Sequence, residues 1–340
     1  MAKRTFNMEI GNLICRFGEK YVLLDLAEEV VLPAFLSKKQ VRTYGSTRYF
    51  FHDVKPVLLD NSENKVIGII GRFIKDTTLV REQIFLDKQG IVKDSESIQS
   101  SPSSIFLLIL NNHRLIYVKE TKNAPPKDAF IKTLLSFLRK SHQNFINNKF
   151  DEYKVNHDKN KGLDRVTKKN LREEYPDPSL LLIPLTSKES IKDFVCNYKL
   201  LKTIEIALSD RNDENDNDPF FDLMQKRKDD IGSTKSVLKH SNREGLNKEV
   251  AITEIAEATA QGNQTVKLVG EDKSGDTLTG NNENFQLRKS LDNLGGSLQE
   301  MATTLYATFK SLVKDGRIDL PILSDKTRNI VKLLARKLFK

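Results

Sequence analysis

The amino-acid sequence predicts an α+β protein with two sheet-and-helix domains, which contain hairpins, a β-α-β unit and long C-terminal helices. Three observations support this fold class. Runs rich in Val, Ile, Leu, Phe and Tyr alternate with turn residues over the first 120 positions, which is typical of strands. A strand–helix–strand pattern begins near residue 180, and apolar residues recur every three or four positions over the last fifty. At 340 residues the chain is long enough to form two hydrophobic cores.

The N-terminal domain is predicted over residues 1–148, mainly from strands. The strand candidates are residues 21–26, 49–52, 65–74 and 105–119. Asn111 and Asn112 lie in the middle of the last run, where a tight hairpin needs residues that tolerate a positive φ. Pro125 and Pro126 then end the strand, and a covering helix follows them. The predicted buried face of this helix consists of Phe130, Leu134, Phe137, Leu138 and Ser141.

A basic segment, residues 149–176, separates the two predicted domains. Apolar periodicity fades there, and eight Lys and Arg against four Asp and Glu give residues 149–172 a net charge of +4. This composition is typical of a solvated interdomain linker and also of a basic loop that becomes ordered on its partner. Both interpretations stay open at this point.

The C-terminal domain is predicted over residues 177–340. It begins with a β-α-β unit whose helix has Ser187 as its N-cap, and this order implies two parallel strands joined by a right-handed crossover. The segments of this unit are residues 180–185, 187–198 and 201–208. Further along the chain we predict a surface loop over 232–248, a helix over 250–260, and a hairpin formed by 265–269 and 276–279.

Residues 210–218 form an acidic stretch that offers carboxylates at alternate positions, as a calcium-binding loop does. Asn215 stands where the EF-hand pattern requires Gly, and Phe221 stands where it requires a bidentate Glu. The pattern therefore fails, and we predict no metal site. Instead, we expect a flexible loop that repels nucleic acid.

The last fifty residues carry two helical patterns. The first is a single apolar stripe, typical of a dimer seam or of the spine of a domain, and it consists of Leu291, Leu294, Leu298, Met301, Leu305, Phe309 and Leu312. The second begins at Ser324, which offers an N-cap. On this second helix Ile330, Leu334 and Leu338 form an apolar row. A row of cations, Arg328, Lys332, Arg336 and Lys340, lies about 200° away at ~100° per residue.

Charge is the strongest functional signal. The chain has a net charge of +9, and residues 301–340 hold nine Lys and Arg against three Asp, a net of +6. This balance favours an anionic partner, with nucleic acid first and a membrane surface second. The sequence contains no phosphate-binding loop, dinucleotide fingerprint, zinc-protease helix or nucleophile elbow, so we name no catalytic residue and predict no cofactor. Unpaired Cys15 and Cys196, with no apolar leader, predict a cytoplasmic protein with reduced thiols.

The predicted partner is double-stranded DNA, which is contacted through its phosphates. The chain has no Trp and no aromatic run of the type that stacks RNA bases, and no segment resembles a helix-turn-helix. Backbone contact supplies affinity with little sequence preference and weakens steeply with salt. We predict phosphate contacts from nine residues: Lys161, Arg165, Lys168, Lys169, Arg172, Arg328, Lys332, Arg336 and Lys337.

Three stretches, residues 101–119, 123–138 and 272–279, resemble the phage exclusion protein RexA and related phage-defence-associated proteins. The order of hairpin, Pro-marked helix, β-α-β unit and terminal helix is also similar. The resemblance implies a homodimer that binds duplex DNA with little sequence preference and acts in anti-phage defence of the exclusion, or abortive-infection, type. It also implies a membrane protein partner encoded nearby. The acidic stretch at 210–218 and the basic extension after Pro321 depart from the family pattern.

Two alternatives from other functional classes stay open. The first is a metal-dependent nuclease effector of a defence system, since folding could bring some of the many acidic residues together. The second is an adaptor whose basic helix binds an anionic membrane or an acidic protein partner.

Overall fold

Two β-sheets with helices packed against them confirm the predicted α+β class. The computed structural model describes residues 5–159, 165–212, 214 and 216–339. In this part of the chain the strands are Phe6–Phe17 (β1), Tyr21–Val22 (β2), Arg42–Tyr44 (β3), Thr47–Asp60 (β4), Val66–Leu86 (β5), Gly90–Ser100 (β6), Ser103–Ile109 (β7), Arg114–Lys119 (β8), Pro178–Pro184 (β9), Tyr198–Leu208 (β10), Ser236–Ser241 (β11), Gln264–Asp272 (β12), Thr277–Asn281 (β13) and Arg288–Leu291 (β14). The α-helices are Leu32–Leu36 (α1), Lys127–Lys159 (α2), Lys168–Glu174 (α3), Lys188–Val195 (α4), Pro219–Asp230 (α5), Lys248–Thr259 (α6), Leu298–Lys314 (α7) and Asp325–Leu338 (α8).

The larger sheet has the strand order β14-β1-β8-β7-β5-β4-β3, with antiparallel pairing between neighbours. Strands β2 and β9 also pair with β1, and β6 pairs with β5. This sheet takes strands from both sides of the basic segment at 149–176, because β9 and β14 both pair with β1. The division of the chain into 1–148, 149–176 and 177–340 stays a prediction.

The predicted hairpin at 105–119 is confirmed as β7 and β8, with Ile109 opposite Arg114. Alternate residues of β7 enter different cores: Phe106 packs on one side of the sheet, and Leu107 packs on the other. A strand that is covered on both faces needs apolar residues at every position, which explains the continuous apolar run. The residue with positive φ in the turn is His113 (φ 57°), so the assignment of that role to the two asparagines is wrong.

One face of the larger sheet is covered by α1, α2, α3 and α8, which share a single core. The predicted buried face of α2 is confirmed, since Phe130, Leu134, Phe137, Leu138 and Ser141 are all buried. The α2 helix continues to Lys159, and α3 buries Leu171 in the same core. The described parts of the predicted linker therefore include helical residues that pack against the domain.

The opposite face of the larger sheet is covered by α7. This helix begins at Leu298, where the Ser297 side chain accepts a hydrogen bond from the Glu300 amide and the Glu300 side chain returns one, which forms a capping box. The helical prediction is wrong for Leu291, which lies in β14, and for Leu294, which precedes the helix. The helical part of the stripe packs into the protein's own core, as the spine interpretation predicts.

The smaller sheet has the order β11-β10-β12-β13, and α4 and α6 pack on it. The predicted hairpin at 265–279 is confirmed as β12 and β13. Parallel pairing within the β-α-β unit is wrong, because β9 pairs with β1 in the larger sheet whereas β10 belongs to the smaller one. Closeness in the chain did not decide which strands pair, because β9 pairs with β1 rather than with β10, the next strand in the chain. Two further predictions fail: 232–248 contains β11, and of 21–26 only the first two residues are a strand.

Candidate nucleic-acid interface

Helix α8 is fixed to the larger sheet by its apolar side. The Ser324 hydroxyl accepts a hydrogen bond from the Thr327 amide at 3.1 Å, which confirms the predicted N-cap. Val331, Leu334 and Ala335 are buried in the core shared with α2 and α3. The opposite side of the helix, which contains Arg328, Lys332 and Arg336 of the predicted cationic row, faces outward. Lys340 lies outside the described residues.

The outward side of α8 forms one wall of a groove of about 630 Å³. Arg328, Lys332 and Arg336 line this wall, and the turn between β4 and β5 supplies the other wall with Glu63 and Lys65. The charged lining therefore consists of four cations and one acid. The rest of the lining consists of four apolar residues, Pro321, Ile322, Leu323 and Val331, and three asparagines, Asn64, Asn111 and Asn329. We call this feature the α8 groove.

The spacing of the three α8 cations suits a phosphate chain. They recur every fourth residue, which corresponds to a rise of about 6 Å per step and about 12 Å in all. Phosphates advance about 3.4 Å along the axis per nucleotide of one strand, so the row spans roughly three to four phosphates. A rigid helix presents the three charges in a fixed line.

The α8 cations differ in how far they are already neutralised. Lys332 and Arg336 are exposed, and neither has a hydrogen bond or ion pair with the described residues. Arg328 lies 3.2 Å from Asp325, a carboxylate that is itself 91% exposed. Lys337 does not line the groove and contacts Glu28 at 2.6 Å. Two free charges and one weakly paired charge therefore remain for a ligand.

Two members of the second predicted cluster, on and before α3, are engaged by neighbouring side chains. Lys168 donates to the Asn147 side chain at 2.8 Å and lies 5.2 Å from the centre of the Phe150 ring. Arg172 donates to Gln143. Lys169 lies 3.9 Å from Glu173, and Arg165 lines a separate pocket of about 520 Å³. Lys161 lies outside the described residues.

The two predicted clusters thus lie on one layer of helices but not in one cavity. Leu171 of α3 and Leu334 of α8 enter the same core, which places both helices on the same face of the larger sheet. None of the described residues between 165 and 172 lines the α8 groove. The groove alone brings three of the nine predicted contacts together.

The acidic stretch at 210–218 is partly buried, which the sequence analysis missed. Glu214 is 4% exposed, and one of its carboxylate oxygens lies 2.8 Å from Nδ1 of His113, which is fully buried. Arg114 is 1% exposed, and burial lowers the pKa of its guanidinium to about 10. Burial raises the pKa of Glu214, but His113 and Arg114 outweigh this effect, so the pKa lies below its usual value.

Further hydrogen bonds tie the same stretch to both sheets. Asn212 donates to the Asn12 side chain in β1 at 3.3 Å, and Asp216 accepts from Asn263 and Gln264 at 2.6 and 3.0 Å. Burial raises the pKa of Asp216 despite these hydrogen bonds. The carboxylates of Glu214 and Asp216 are enclosed in the interior, so this part of the stretch is not a free loop, and the repulsion of nucleic acid stays a prediction.

A sequence signal for this cluster existed. His113 lies in the turn, and Arg114 begins the second strand, of a hairpin whose strands are buried on both sides. Charged residues at such a position require buried partners, and the acidic stretch is an obvious source of them. No local pattern shows which acid fills that role.

Within residues 5–159, 165–212, 214 and 216–339, no group of three or more His, Cys, Asp and Glu side chains is placed to hold a metal ion. The nuclease alternative therefore gains no support from these residues. In the same part of the chain, no helix is both long enough and apolar enough to cross a membrane.

Comparison with known protein families and with curated proteins finds no match for this chain. The resemblance to RexA stays a prediction.

Proposed function

We propose that this protein binds double-stranded DNA through its phosphate backbone, with the α8 groove as the principal contact. The observation that carries the proposal is the pair Lys332 and Arg336, exposed and unpaired on a helix whose other side is buried. Free cations on a fixed support bind a polyanion without first breaking an ion pair. Backbone contact also explains why little sequence preference is expected.

The environment of α8 favours DNA over a membrane surface. A helix that lies in a bilayer interface inserts its apolar side among the lipids. In α8 that side holds Val331, Leu334 and Ala335, which are buried in the protein core. The apolar side of α8 is therefore not free to enter a bilayer, and the helix presents its cations to solvent. An acidic protein partner could use the same charges, and the experiment below distinguishes it from DNA.

The biological role in the proposal is anti-phage defence, alongside a membrane protein encoded nearby. Its support is the resemblance of residues 101–119, 123–138 and 272–279 to RexA and its relatives. DNA binding by the α8 groove is independent of that role and is tested first.

The test compares two double variants by fluorescence anisotropy on two unrelated duplexes across a salt series. Lys332→Gln with Arg336→Gln removes two charges from the groove. Lys188→Gln with Lys192→Gln removes two exposed charges, also four residues apart, from α4 on the smaller sheet. We expect the α8 variant to bind both duplexes at least tenfold more weakly, with the slope of log affinity against log salt reduced by about 2. The α4 variant should bind as the wild type does.

Equal losses in the two variants would show that net charge rather than the groove determines binding. Unchanged affinity in the α8 variant would remove the groove from the interface. Wild-type protein that binds an acidic polypeptide or anionic vesicles, but neither duplex, would replace the proposal with the adaptor alternative.

A further inference from the structure

A long two-stranded hairpin extends from the larger sheet. The first part of β5 pairs with β4 and β7, whereas residues 77–86 pair only with β6 in the described part of the chain. We call residues 77–100 the hairpin arm. Ten residues per strand give the arm a length of about 34 Å.

The hairpin arm exposes an unusual number of apolar side chains. The exposed ones are Leu79 (43%), Val80 (62%), Phe85 (69%), Leu86 (39%), Ile91 (68%) and Ile98 (59%). An isolated two-stranded hairpin is only marginally stable in water, and contiguous exposed apolar residues mark interaction sites. The arm therefore has the character of a surface that a partner covers.

One face of the arm has a self-complementary pattern. Four cross-strand pairs follow one another from the base to the tip: Leu79–Ile98, Arg81–Glu96, Gln83–Lys93 and Phe85–Ile91. Their members on β5 are two residues apart and so point to the same face. The order is apolar, polar, polar, apolar, so an apolar pair lies at each end, and β6 carries an acid, Glu96, and a cation, Lys93, between them.

We propose that this face packs against the same face of a second copy of the chain, with the two arms antiparallel. A twofold axis between the two central pairs then places Leu79 and Ile98 of one copy on Phe85 and Ile91 of the other. The same axis brings Glu96 opposite Lys93 of the second copy, twice per dimer. Such contacts between identical patches are the rule for twofold interfaces.

Other occupants fit the arm less well. Three cations and four acids give residues 77–100 a net charge of −1, which disfavours DNA and anionic lipid. Arg81 is already paired with Asp94 and Glu96. Edge-to-edge strand addition is also disfavoured, because β6 has an extra residue between the Arg81 and Gln83 pairs, and such bulges protect sheet edges.

The size of the face sets the expected affinity. A two-stranded face about 34 Å long and roughly 10 Å wide is smaller than the ~800 Å² per partner of a standard interface. We therefore expect a dimer with a dissociation constant in the micromolar range. The inference is independent of DNA binding, since the α8 groove lies on a different part of the molecule.

The experiment measures the oligomeric state of the full chain by sedimentation from about 1 to 200 µM, without DNA. We expect a monomer–dimer equilibrium in the wild type. Phe85→Ser with Ile91→Ser should weaken dimerisation at least tenfold. Ile231→Ser, which changes a 78% exposed residue outside the arm, should have no effect. Circular dichroism checks that each variant is folded.

A charge-exchange test examines the proposed orientation. Lys93→Glu places acid opposite acid in its own dimer, and Glu96→Lys places cation opposite cation, so each variant alone should stay monomeric. An equimolar mixture should dimerise, because both contacts are then complementary. A wild type that is monomeric at 200 µM, or a Phe85/Ile91 variant that dimerises as the wild type does, would overturn the proposal. A mixture that fails to associate would overturn the antiparallel arrangement on which it depends.

Discussion

The α8 groove and the buried cluster around Glu214 are both rich in charge, yet they lie in opposite environments. In the groove, Lys332 and Arg336 face solvent without a partner among the described residues. In the cluster, His113, Arg114 and Glu214 are almost completely enclosed. The charged cluster is therefore closed to a ligand, whereas the groove is available to one. Density of charge in the sequence does not distinguish these two roles.

The same comparison explains why α3 and α8 are not equivalent. Both helices carry cations and bury a leucine in one core. Lys168 and Arg172 on α3 find hydrogen-bond acceptors on the neighbouring α2 helix. The groove-facing residues of α8 have no such neighbour. Availability of a charge thus depends on what packs beside the helix.

The largest expected effect is on the buried cluster. Glu214→Gln breaks the buried pair with His113 and removes the negative charge that acts on Arg114 in the interior, and breaking a buried pair costs about 3–5 kcal/mol. We expect urea denaturation to show a loss of that size in the free energy of unfolding. Glu244→Gln, at an exposed position, should change it by less than about 0.5 kcal/mol. A Glu214 variant as stable as the wild type would mean that the buried carboxylate does not stabilise the fold.

A second prediction tests how α8 is held. Leu334 is 2% exposed, and the adjacent Leu333 is 55% exposed. Leu334→Ala should lower the free energy of unfolding by about 2–5 kcal/mol because it leaves a cavity in the core. Leu333→Ala should have an effect within about 0.5 kcal/mol. Similar losses for both variants would contradict the placement of the apolar side of α8 in the core.

The pH dependence of stability offers a third test. The pKa of Glu214 in the folded protein lies below its usual value, so its contribution is present above about pH 4.3 and is lost as the pH falls through the folded-state pKa. The difference in unfolding free energy between wild type and Glu214→Gln should therefore shrink on acidification. Denaturation series between pH 7 and pH 3 measure it. Asp216 is common to both proteins, and its own titration cancels to a first approximation.

The smallest effect concerns the start of α8. Ser324→Ala removes the hydroxyl that accepts from the Thr327 amide, which should cost about 1 kcal/mol in thermal or urea unfolding. Ser324→Asp preserves an acceptor and should restore most of that stability. If Ala and Asp give equal stability, the cap does not contribute to holding the helix.

Sequence patterns predicted several elements of this fold correctly. The β7–β8 hairpin, the buried face of α2, the β12–β13 hairpin and the caps at Ser187 and Ser324 follow from local periodicity and local hydrogen-bonding capacity. For the candidate site, the same periodicity placed Arg328, Lys332 and Arg336 on one side of α8, and the groove contains all three.

Tertiary structure decided the remaining features, because they depend on contacts between residues far apart in the chain. The strand at Pro178–Pro184 pairs with β1 rather than with the strand that follows it, and a pattern of alternating residues does not specify a partner. Glu214 is buried because His113 and Arg114, about one hundred residues earlier, need a counter-charge in the interior. Lys332 stays free whereas Lys168 is engaged, since only the packing of neighbouring helices determines which acceptors lie within reach.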